Sequence, residues 1–219
     1  MDDASLLRKS ELFQAFEPDD MARIVGQATR QGLQRGDVVF DEGDPADRMY
    51  VVRSGRVAIS KRSLDGKESI VALMEAGDLF GEMSLFDGED RSAGARALEP
   101  CELVVVPYAP LTAVLDERPV LLWGMVALLC RRMRTTDIAL ADSLFLDVTG
   151  RTAKRLLELA GGRDEFALPI TQEELAGMVG ASRERVNKAL AQFIRLGWLA
   201  VSERRYRILK RDDLVQRAR

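Results

Sequence analysis

Residues 171–193, TQEELAGMVGASRERVNKALAQF, have the pattern of two short helices joined by a tight turn. Thr171 and Glu174 have the spacing of a capping box, so the first helix begins just after Thr171. Gly180, which tolerates positive φ, and Ser182, a good N-cap, separate it from a second helix. Apolar residues of that second helix recur at helical spacing: Val186, Ala189, Leu190 and Phe193. This stretch therefore predicts a helix-turn-helix.

The opposite face of the second helix is polar and basic near its start, and comprises Arg183, Glu184, Asn187 and Lys188. In a helix-turn-helix this part enters the DNA major groove, where Arg grips guanine and Glu accepts from cytosine. Two strand-like runs follow, around a basic tip that includes Arg204 and Arg205. We interpret the tip as a wing that contacts phosphates, with a plain surface hairpin as the alternative. Thr171 completes the predicted DNA-contacting set.

Charge is distributed unevenly along the chain. Residues 147–219 contain 15 Lys/Arg and 10 Asp/Glu, a net charge of +5, whereas residues 1–146 contain 17 and 25, a net charge of −8. A basic C-terminal third on an acidic body indicates that only this end meets a polyanion.

The composition excludes several classes of protein. Among the 219 residues are two cysteines, Cys101 and Cys130, and no histidine. Without His there is no His-based catalysis, His zinc site or His-ligated haem, and two Cys cannot form a disulfide scaffold or a four-thiolate metal site. The sequence also shows no motif that pairs a nucleophile with a general base. We therefore expect a protein that is not an enzyme and holds no metal.

Nothing in the sequence indicates export or membrane insertion. Met1–Arg8 does not resemble a leader, and the longest apolar stretch, around Val120–Cys130, is far short of the ~20 residues that span a bilayer. We expect a cytoplasmic protein with no membrane partner.

From Gly36 to Val106 the sequence predicts β structure. Short apolar runs alternate with turn pairs about ten residues apart, which indicates a closed or double-sheet β unit. Asp65-Gly66 is a strong hairpin signal. The predicted strands are Val38–Phe40, Met49–Val52, Val57–Ile59, Ile70–Met74 and Leu103–Val106.

A helical pattern then extends from Leu111 to Leu144. Its seam residues recur at alternating spacings of four and three: Leu122, Val126, Leu129, Met133, Thr136 and Leu140. Such a seam is typical of two helices packing side by side and predicts a dimer interface, with a helix that packs on its own β domain as the alternative. Phe145–Asp147 is the predicted hinge, after which Thr149 is expected to cap a helix that ends at Ala160.

A second group of residues suits a phosphorylated ligand. Gly81 lets a ligand approach the backbone, Glu82 can accept from a ribose hydroxyl, and Arg91 and Ser92 can donate to a phosphate. Taken alone, an Arg and a Glu in a β domain fit an ordinary ion pair equally well.

Three runs of the sequence resemble the cyclic AMP receptor protein (CRP/FNR) family of bacterial transcription regulators, in its cAMP-responsive branch. Residues 81–93 resemble the phosphate-binding cassette of cyclic-nucleotide-binding domains, residues 145–151 resemble the hinge, and residues 179–184 resemble the recognition motif. The similarity covers about the whole chain.

The resemblance implies an α+β fold in three parts. A jelly-roll-like cyclic-nucleotide-binding β-roll is expected at 1–110, a long dimerisation helix with the hinge at 111–146, and a winged helix-turn-helix at 147–219. The implied molecule is a homodimer that binds double-stranded DNA at a palindromic TGTGA-like site, responds to cAMP and works with RNA polymerase.

The resemblance also implies roles for individual residues. Arg91 and Ser92 bind the cyclic phosphate and Gly81 and Glu82 the ribose, within a cassette completed by Met83, Ser84 and Ala93. Thr136 and Asp137 meet the purine. Arg183, Glu184 and Lys188 meet base edges. Lys188 stands where the family has Arg, which removes a bidentate fork.

Two alternatives stay open within this family. The best-known members have Ser where this chain has Asp137, and a carboxylate pairs with the N1–H and N2–H₂ groups of guanine, so cGMP is an alternative ligand. The other alternative is DNA binding without nucleotide control. The family's iron–sulfur and haem sensors need several Cys or a His, so neither group is expected here.

Overall fold

The computed structural model describes residues 1–63, 68–168, 170–202 and 205–219. Two predicted features, the Asp65-Gly66 hairpin turn and Arg204, lie outside the described residues. The chain divides into two compact units: one comprises Met1–Lys61 and Val71–Arg134, and the other comprises Arg62–Ile70 and Thr135–Arg219. Among the described residues no helix is long and apolar enough to cross a bilayer.

The N-terminal half is built from short helices and two antiparallel β-sheets. Its helices are α1 (Asp3–Leu7), α2 (Pro18–Val25), α3 (Met83–Asp87) and α4 (Tyr108–Glu117), with 3₁₀ turns at Glu11–Phe13 and Pro119–Leu121. Its strands are β1 (Thr29–Leu33), β2 (Val38–Phe40), β3 (Arg48–Ser54), β4 (Val57–Arg62), β5 (Glu68–Met74), β6 (Leu79–Phe80), β7 (Gly94–Ala97) and β8 (Cys101–Pro107).

The strand order is β1-β8-β3-β6 in one sheet and β2-β7-β4-β5 in the other. The double-sheet prediction is confirmed, and each of the five predicted strands lies on an observed one. Strands β1, β6 and β7 were not predicted, because TRQGL and GARA lack a run of apolar residues and β6, LF, is only two residues long.

The central strands β3 and β8 are buried on both faces. Met49 and Val51 point into a core formed with the helices, and the alternating residues Tyr50 and Val52 point into a core between the sheets. Side chains alternate along a strand, so a strand covered on both sides reads as an unbroken apolar run. This explains the continuous apolar sequence of Leu103–Val106 on β8.

The predicted helical stretch from Leu111 to Leu144 is divided in two. Helix α4 ends at Glu117, and α5 extends from Leu122 to Phe145. The break occurs at Pro119, which has no backbone N–H and disfavours helical backbone in the residue before it, so Arg118 adopts φ −135° and ψ 70°.

The C-terminal part contains the predicted helix-turn-helix. Its elements are α6 (Val148–Ala160), β9 (Glu165–Ala167), α7 (Gln172–Val179), α8 (Arg183–Arg195), β10 (Leu199–Ser202), β11 (Arg205–Ile208) and α9 (Arg211–Arg217), with sheet order β10-β11-β9. The capping box is confirmed: Glu174 N–H donates to Thr171 Oγ1 at 3.1 Å and Thr171 N–H to Glu174 Oε2 at 2.6 Å. Gly180 has φ +66° in the turn, and all four predicted apolar residues of α8 are buried.

The cap of α6 differs from the prediction. Asp147, and not Thr149, is the N-cap, because Asp147 has extended backbone (φ −71°, ψ 175°) and its Oδ1 accepts from the Gly150 N–H at 2.8 Å. Arg217 of α9 donates to the same carboxylate at 2.5 Å. Thr149 lies inside the helix. The hinge region predicted at Phe145–Asp147 therefore contains a residue that both caps α6 and binds the C-terminal helix.

We predict that Asp147→Ala destabilises the helix-turn-helix unit by about 1 kcal/mol, because it removes an N-cap. Asp147→Asn is the matched control, since Asn caps equally well but carries no charge for Arg217; it should cost only a few tenths of a kcal/mol, about the contribution of an exposed ion pair. Urea unfolding followed by circular dichroism measures both. Equal losses would show that the charge, and not the cap, is what matters.

We also predict that the contribution of Asp147 to the stability of the fold depends on pH. The Gly150 amide and, secondarily, the Arg217 guanidinium hold the pKa of Asp147 below its ordinary value of 3.8. A lowered pKa stabilises the fold above pH ~3.8, and that contribution disappears as the pH falls through the lower folded-state value. The difference in stability between wild type and Asp147→Ala should therefore persist at pH 5–7 and shrink below about pH 4.

Candidate functional site

The loop that connects β6 to β7 brings the predicted phosphate-binding residues together. Gly81 directly follows β6 and has φ +75°. Ten residues later Arg91 is anchored through its backbone: its N–H donates to the Asp44 carbonyl, and its own carbonyl accepts from the Gly43 N–H, both at 2.9 Å. Its side chain then points back to the start of the loop.

The Arg91 guanidinium is buried, with only 5% of the residue exposed. Its Nη1 donates to the Gly81 carbonyl at 2.7 Å and to the Tyr108 hydroxyl at 3.1 Å, and its Nη2 donates to the Arg48 carbonyl at 2.6 Å. The group also lies over the Phe40 ring, 4.2 Å from its centroid. These contacts compensate the desolvation of a cation, which is costly without them.

Glu82 lies next to Gly81 and is fully buried. One of its oxygens forms an ion pair with Arg132, on α5, whose Nη2 also donates to the Leu79 carbonyl at 2.5 Å. Burial raises the pKa of Glu82, and the Arg132 charge opposes that rise. The pair of Glu82 and Arg132 therefore belongs to the same site as Arg91.

Two buried polar atoms in this site have no hydrogen-bond partner among the described residues: Arg91 Nε and Glu82 Oε2. Buried polar atoms are nearly always hydrogen-bonded, so such an orphaned pair indicates a place for a ligand. One atom is a charged donor and the other is a carboxylate acceptor. The residues present thus suit a ligand with an anionic group and a hydroxyl, such as the phosphate and ribose of a nucleotide.

The other predicted pocket residues contribute unequally. Ser92 is exposed, and its hydroxyl lies 3.6 Å from the Met83 sulfur. Ser84 is half-buried, whereas Ala93 is buried. Thr136 and Asp137 lie on α5, in the second compact unit, and both are exposed.

The predicted DNA-contacting residues cluster on one face of the second unit. Arg183, Glu184 and Lys188 are exposed on the first two turns of α8, and Asn187 is half-buried beside them. Glu184 and Lys188 form an i,i+4 ion pair of 2.8 Å. That side-chain hydrogen bond with Lys188 lowers the pKa of Glu184, so the side chain is an ionised carboxylate at neutral pH and accepts hydrogen bonds without donating any.

A groove of about 530 Å³ borders this face. Thr171 at the start of α7 and Arg183 at the start of α8 both line it, together with Val201 and Tyr206 of the β10–β11 hairpin. Arg205, at the start of β11, is exposed. The structure thus brings Thr171 and the helix-turn-helix face to one surface.

Comparisons with known proteins match both parts of the chain. A family model described as a cyclic nucleotide-binding domain matches residues 30–118, and one described as a Crp-like helix-turn-helix domain matches residues 150–217. The chain is 38% identical to the CRP-like cAMP-activated global transcriptional regulator of Mycobacterium tuberculosis, over 98% of this chain and 99% of that protein. The chain belongs to the CRP/FNR family of transcription regulators.

Other members of the CRP/FNR family are similar over most of their length. The cyclic AMP receptor protein of Thermus thermophilus is 34% identical over 84% of this chain and 85% of its own. The solved structure of FixK2 from Bradyrhizobium japonicum has the same fold, with a TM-score of 0.78 at 23% identity over 86% of this chain and 96% of that one. Fold class, transcription regulation and DNA binding are thereby confirmed for this chain.

Sequence reasoning missed two residues of this CRP-family pocket. Arg132 lies on the same helical face as the buried Met125 and Leu128, at spacings of three and four, and so points to its own β-roll. That spacing was the available signal. No sequence pattern indicates Tyr108 as a pocket residue, because it lies far from the cassette along the chain.

We predict that Gly81→Ala disrupts the pocket beyond the strain of its backbone. A Cβ there would lie 2.8 Å from Arg91 Nη1, at φ +75°, whereas at Gly88, with φ +72°, a Cβ would meet nothing within 4 Å. Both alanine variants should lose roughly 1–2 kcal/mol of stability through the left-handed backbone. Only Gly81→Ala should displace Arg91 and weaken cyclic-nucleotide binding, as measured by titration calorimetry. Equal nucleotide affinities of the two variants would contradict this prediction.

Proposed function

We propose that this protein is a cytoplasmic, homodimeric transcription regulator that binds a palindromic TGTGA-like DNA site under the control of cAMP. The observation that carries the proposal is the buried Arg91 beside the buried Glu82: within the described ranges of the chain, neither Arg91 Nε nor Glu82 Oε2 has a hydrogen-bond partner. The pocket would consist of Gly81, Glu82, Met83, Ser84, Arg91, Ser92 and Ala93, with Thr136 and Asp137 at the purine.

The charges of the pocket favour a monoanionic ligand. The partners of the Arg91 guanidinium among the described residues, two backbone carbonyls and a tyrosine hydroxyl, are neutral, whereas the charge of Glu82 is matched by Arg132. These three side chains together have one excess positive charge. A cyclic phosphate diester carries one negative charge, so it would balance Arg91, and the spare oxygen of Glu82 would accept from a ribose hydroxyl.

The identity of the purine is the finer part of the proposal. The relatives in Mycobacterium tuberculosis and Thermus thermophilus carry cAMP in their names, and Thr136 matches the cAMP-responsive branch. Asp137 is exposed on α5, one residue further. Its carboxylate would accept from one exocyclic amine of adenine or from two groups of guanine, so cGMP is the second candidate ligand.

The two faces of α5 support the homodimer. Met125 and Leu128 are buried in the core of the first unit. On another face Val126, Leu129 and Met133 are 43%, 40% and 62% exposed within a single chain. An apolar stripe with heptad spacing is matched best by an identical stripe, because a two-fold axis pairs equivalent residues. A second copy of the chain is therefore the partner we propose for this face.

The two helix-turn-helix units of a dimer would contact two half-sites that lie about one DNA turn apart, ~34 Å. Arg183 would donate to guanine in the major groove, Glu184 would accept from cytosine, and Lys188 would contact a base or a phosphate as a point charge. The wing, including Arg204 and Arg205, would contact the backbone. RNA polymerase is the further partner implied by transcription regulation. We assign no enzymatic activity.

The proposed control is a population shift between two conformations. A nucleotide must prefer the DNA-binding conformation by about 5.5 kcal/mol to move the equilibrium from 1:99 to 99:1. Hydrogen bonds to charged groups contribute about 1.5–3 kcal/mol each, so contacts to Arg91, Glu82 and the purine together reach that value. The alternative, DNA binding without nucleotide control, leaves the two orphaned atoms of the pocket unexplained.

A gel-shift assay on a TGTGA-type palindrome with cAMP, with cGMP or with neither tests the proposal. Wild type should bind at least tenfold more tightly with cAMP. Arg91→Ala should lose this response but retain weak, salt-sensitive DNA binding, because the helix-turn-helix is intact. Arg91→Lys, which keeps the charge and loses the fork, should respond only at higher nucleotide concentration. A full response from both variants would refute the pocket assignment.

Two controls separate the parts of the proposal. Arg48→Ala removes an exposed guanidinium bonded to Asp47 but leaves the backbone carbonyl that Arg91 uses, so it should respond normally. A probe with one half-site scrambled should bind markedly more weakly than the palindrome if the protein binds as a dimer. Equal binding of the two probes would argue against the dimer.

We predict that Asp137→Ser changes the preference between nucleotides. If the carboxylate takes part in purine recognition, its removal should lower cGMP affinity more than cAMP affinity, shifting the ratio by roughly tenfold, about one charge-assisted hydrogen bond. Titration calorimetry with each nucleotide measures the ratio. An unchanged ratio would show that Asp137 does not contact the purine.

A further inference from the structure

Tyr108 is placed to act on the phosphate-binding arginine. It is the first residue of α4, directly after β8, and its backbone N–H is tied to the Asp47 carbonyl at 2.8 Å. Its hydroxyl donates to the Gly81 carbonyl at 2.5 Å and accepts from Arg91 Nη1 at 3.1 Å. One atom of Tyr108 thus bridges the two residues that define the cassette.

The donors of Arg91 are divided between its two edges. Nη1 has two N–H groups and two acceptors, the Gly81 carbonyl and the Tyr108 hydroxyl. Nη2 has two N–H groups and one acceptor in the described part of the chain, the Arg48 carbonyl, and Nε has none there. The donors that remain are therefore on Nε and Nη2.

Arginine can clasp two oxygens at once through its Nε–Nη2 edge or through its Nη1–Nη2 end, as Arg23 does with Glu117. This chain itself shows the geometry: Arg48 holds the Asp47 carboxylate through Nε at 2.6 Å and Nη2 at 2.8 Å. Arg30 holds Asp3 through the same two atoms, each at 3.1 Å. Among the residues that the structure describes, Arg91 Nε has no acceptor and Nη2 has one acceptor for its two N–H groups, while both N–H groups of Nη1 are matched by an acceptor.

We propose that the Tyr108 hydroxyl is a positioning group for Arg91: it holds Nη1 against the Gly81 carbonyl and so presents the Nε–Nη2 edge to the phosphate. This inference rests on the proposed nucleotide pocket and adds a residue to it. Tyr108 touches no ligand in this role and acts only through Arg91.

The environment of Tyr108 suits this role. Burial raises the pKa of its phenol above the ordinary value, so the hydroxyl keeps its proton at neutral pH and donates while it accepts. Fixing the guanidinium in advance saves the ordering of a flexible side chain on ligand binding. Phenylalanine would keep the ring and remove only the bridging oxygen.

Titration calorimetry of Tyr108→Phe with cAMP is the first test. The affinity should fall roughly tenfold, the usual effect of losing one hydrogen bond to a charged group. Tyr206→Phe removes the same atom from β11 and should leave the affinity unchanged. Wild-type affinity in Tyr108→Phe, with weaker binding in Arg91→Lys, overturns the positioning role and leaves the pocket intact. Wild-type affinity in both variants refutes the pocket itself.

A double-variant cycle distinguishes positioning from a general structural role. The Arg91→Lys variant has no guanidinium for the Tyr108 hydroxyl to orient. In that background, Tyr108→Phe should therefore change cAMP affinity by less than about twofold. A tenfold loss in both backgrounds would mean that Tyr108 acts independently of Arg91, which overturns the proposal.

The ligand-free protein offers a spectroscopic readout that does not depend on binding. Nitrogen-15 spectra of the guanidinium groups should show two separate, slowly exchanging Nη signals for Arg91, which are assigned by their loss in Arg91→Lys. Tyr108→Phe should merge or broaden them, because one of the two acceptors of Nη1 is gone, whereas Tyr206→Phe should not. Unchanged Nη signals in Tyr108→Phe would contradict the proposal.

Discussion

A guanidinium and a carboxylate lie buried in one β-roll. The surrounding structure provides the partners that offset the free-energy cost of removing their charges from water. An unpaired buried charge is strongly destabilising, so each charge must meet partners held in fixed positions. Arg91 obtains them from two backbone carbonyls and a tyrosine hydroxyl. Glu82 obtains its partner from a helix fifty residues further along the chain. Gly81, whose carbonyl is one of the partners of Arg91, adopts φ +75° between β6 and Glu82.

These partners also connect the pocket to the rest of its unit. Tyr108 begins α4, immediately after the doubly buried strand β8. Arg132 lies on α5, about one turn beyond Leu128, which is buried in the helical core. The residue that pairs with Glu82 and the apolar stripe proposed for a second copy therefore lie on the same helix, α5.

The helix-turn-helix depends on local signals to a much greater degree. The capping box at Thr171, the left-handed Gly180 and the cap at Ser182 are each formed by residues within three or four positions of one another. Such interactions are visible in a sequence because their partners are neighbours. The prediction of the cap of α6 was wrong by two residues: Asp147, and not Thr149, is the cap. Both residue types are good caps. Asp147 also forms an ion pair with Arg217, seventy residues further along the chain.

The sequence by itself determined the class of fold, the double sheet, the helix-turn-helix and the residue types of both sites, because periodicity, turn residues and caps act over a few positions. Only the tertiary structure decided that Arg91 binds carbonyls and not Glu82, that Arg132 turns inward, and that Tyr108 joins the cassette. Those outcomes depend on which distant segments meet in the folded chain, and burial makes their hydrogen bonds obligatory. The predicted helix from Leu111 likewise appeared continuous in its pattern, and a single proline divided it.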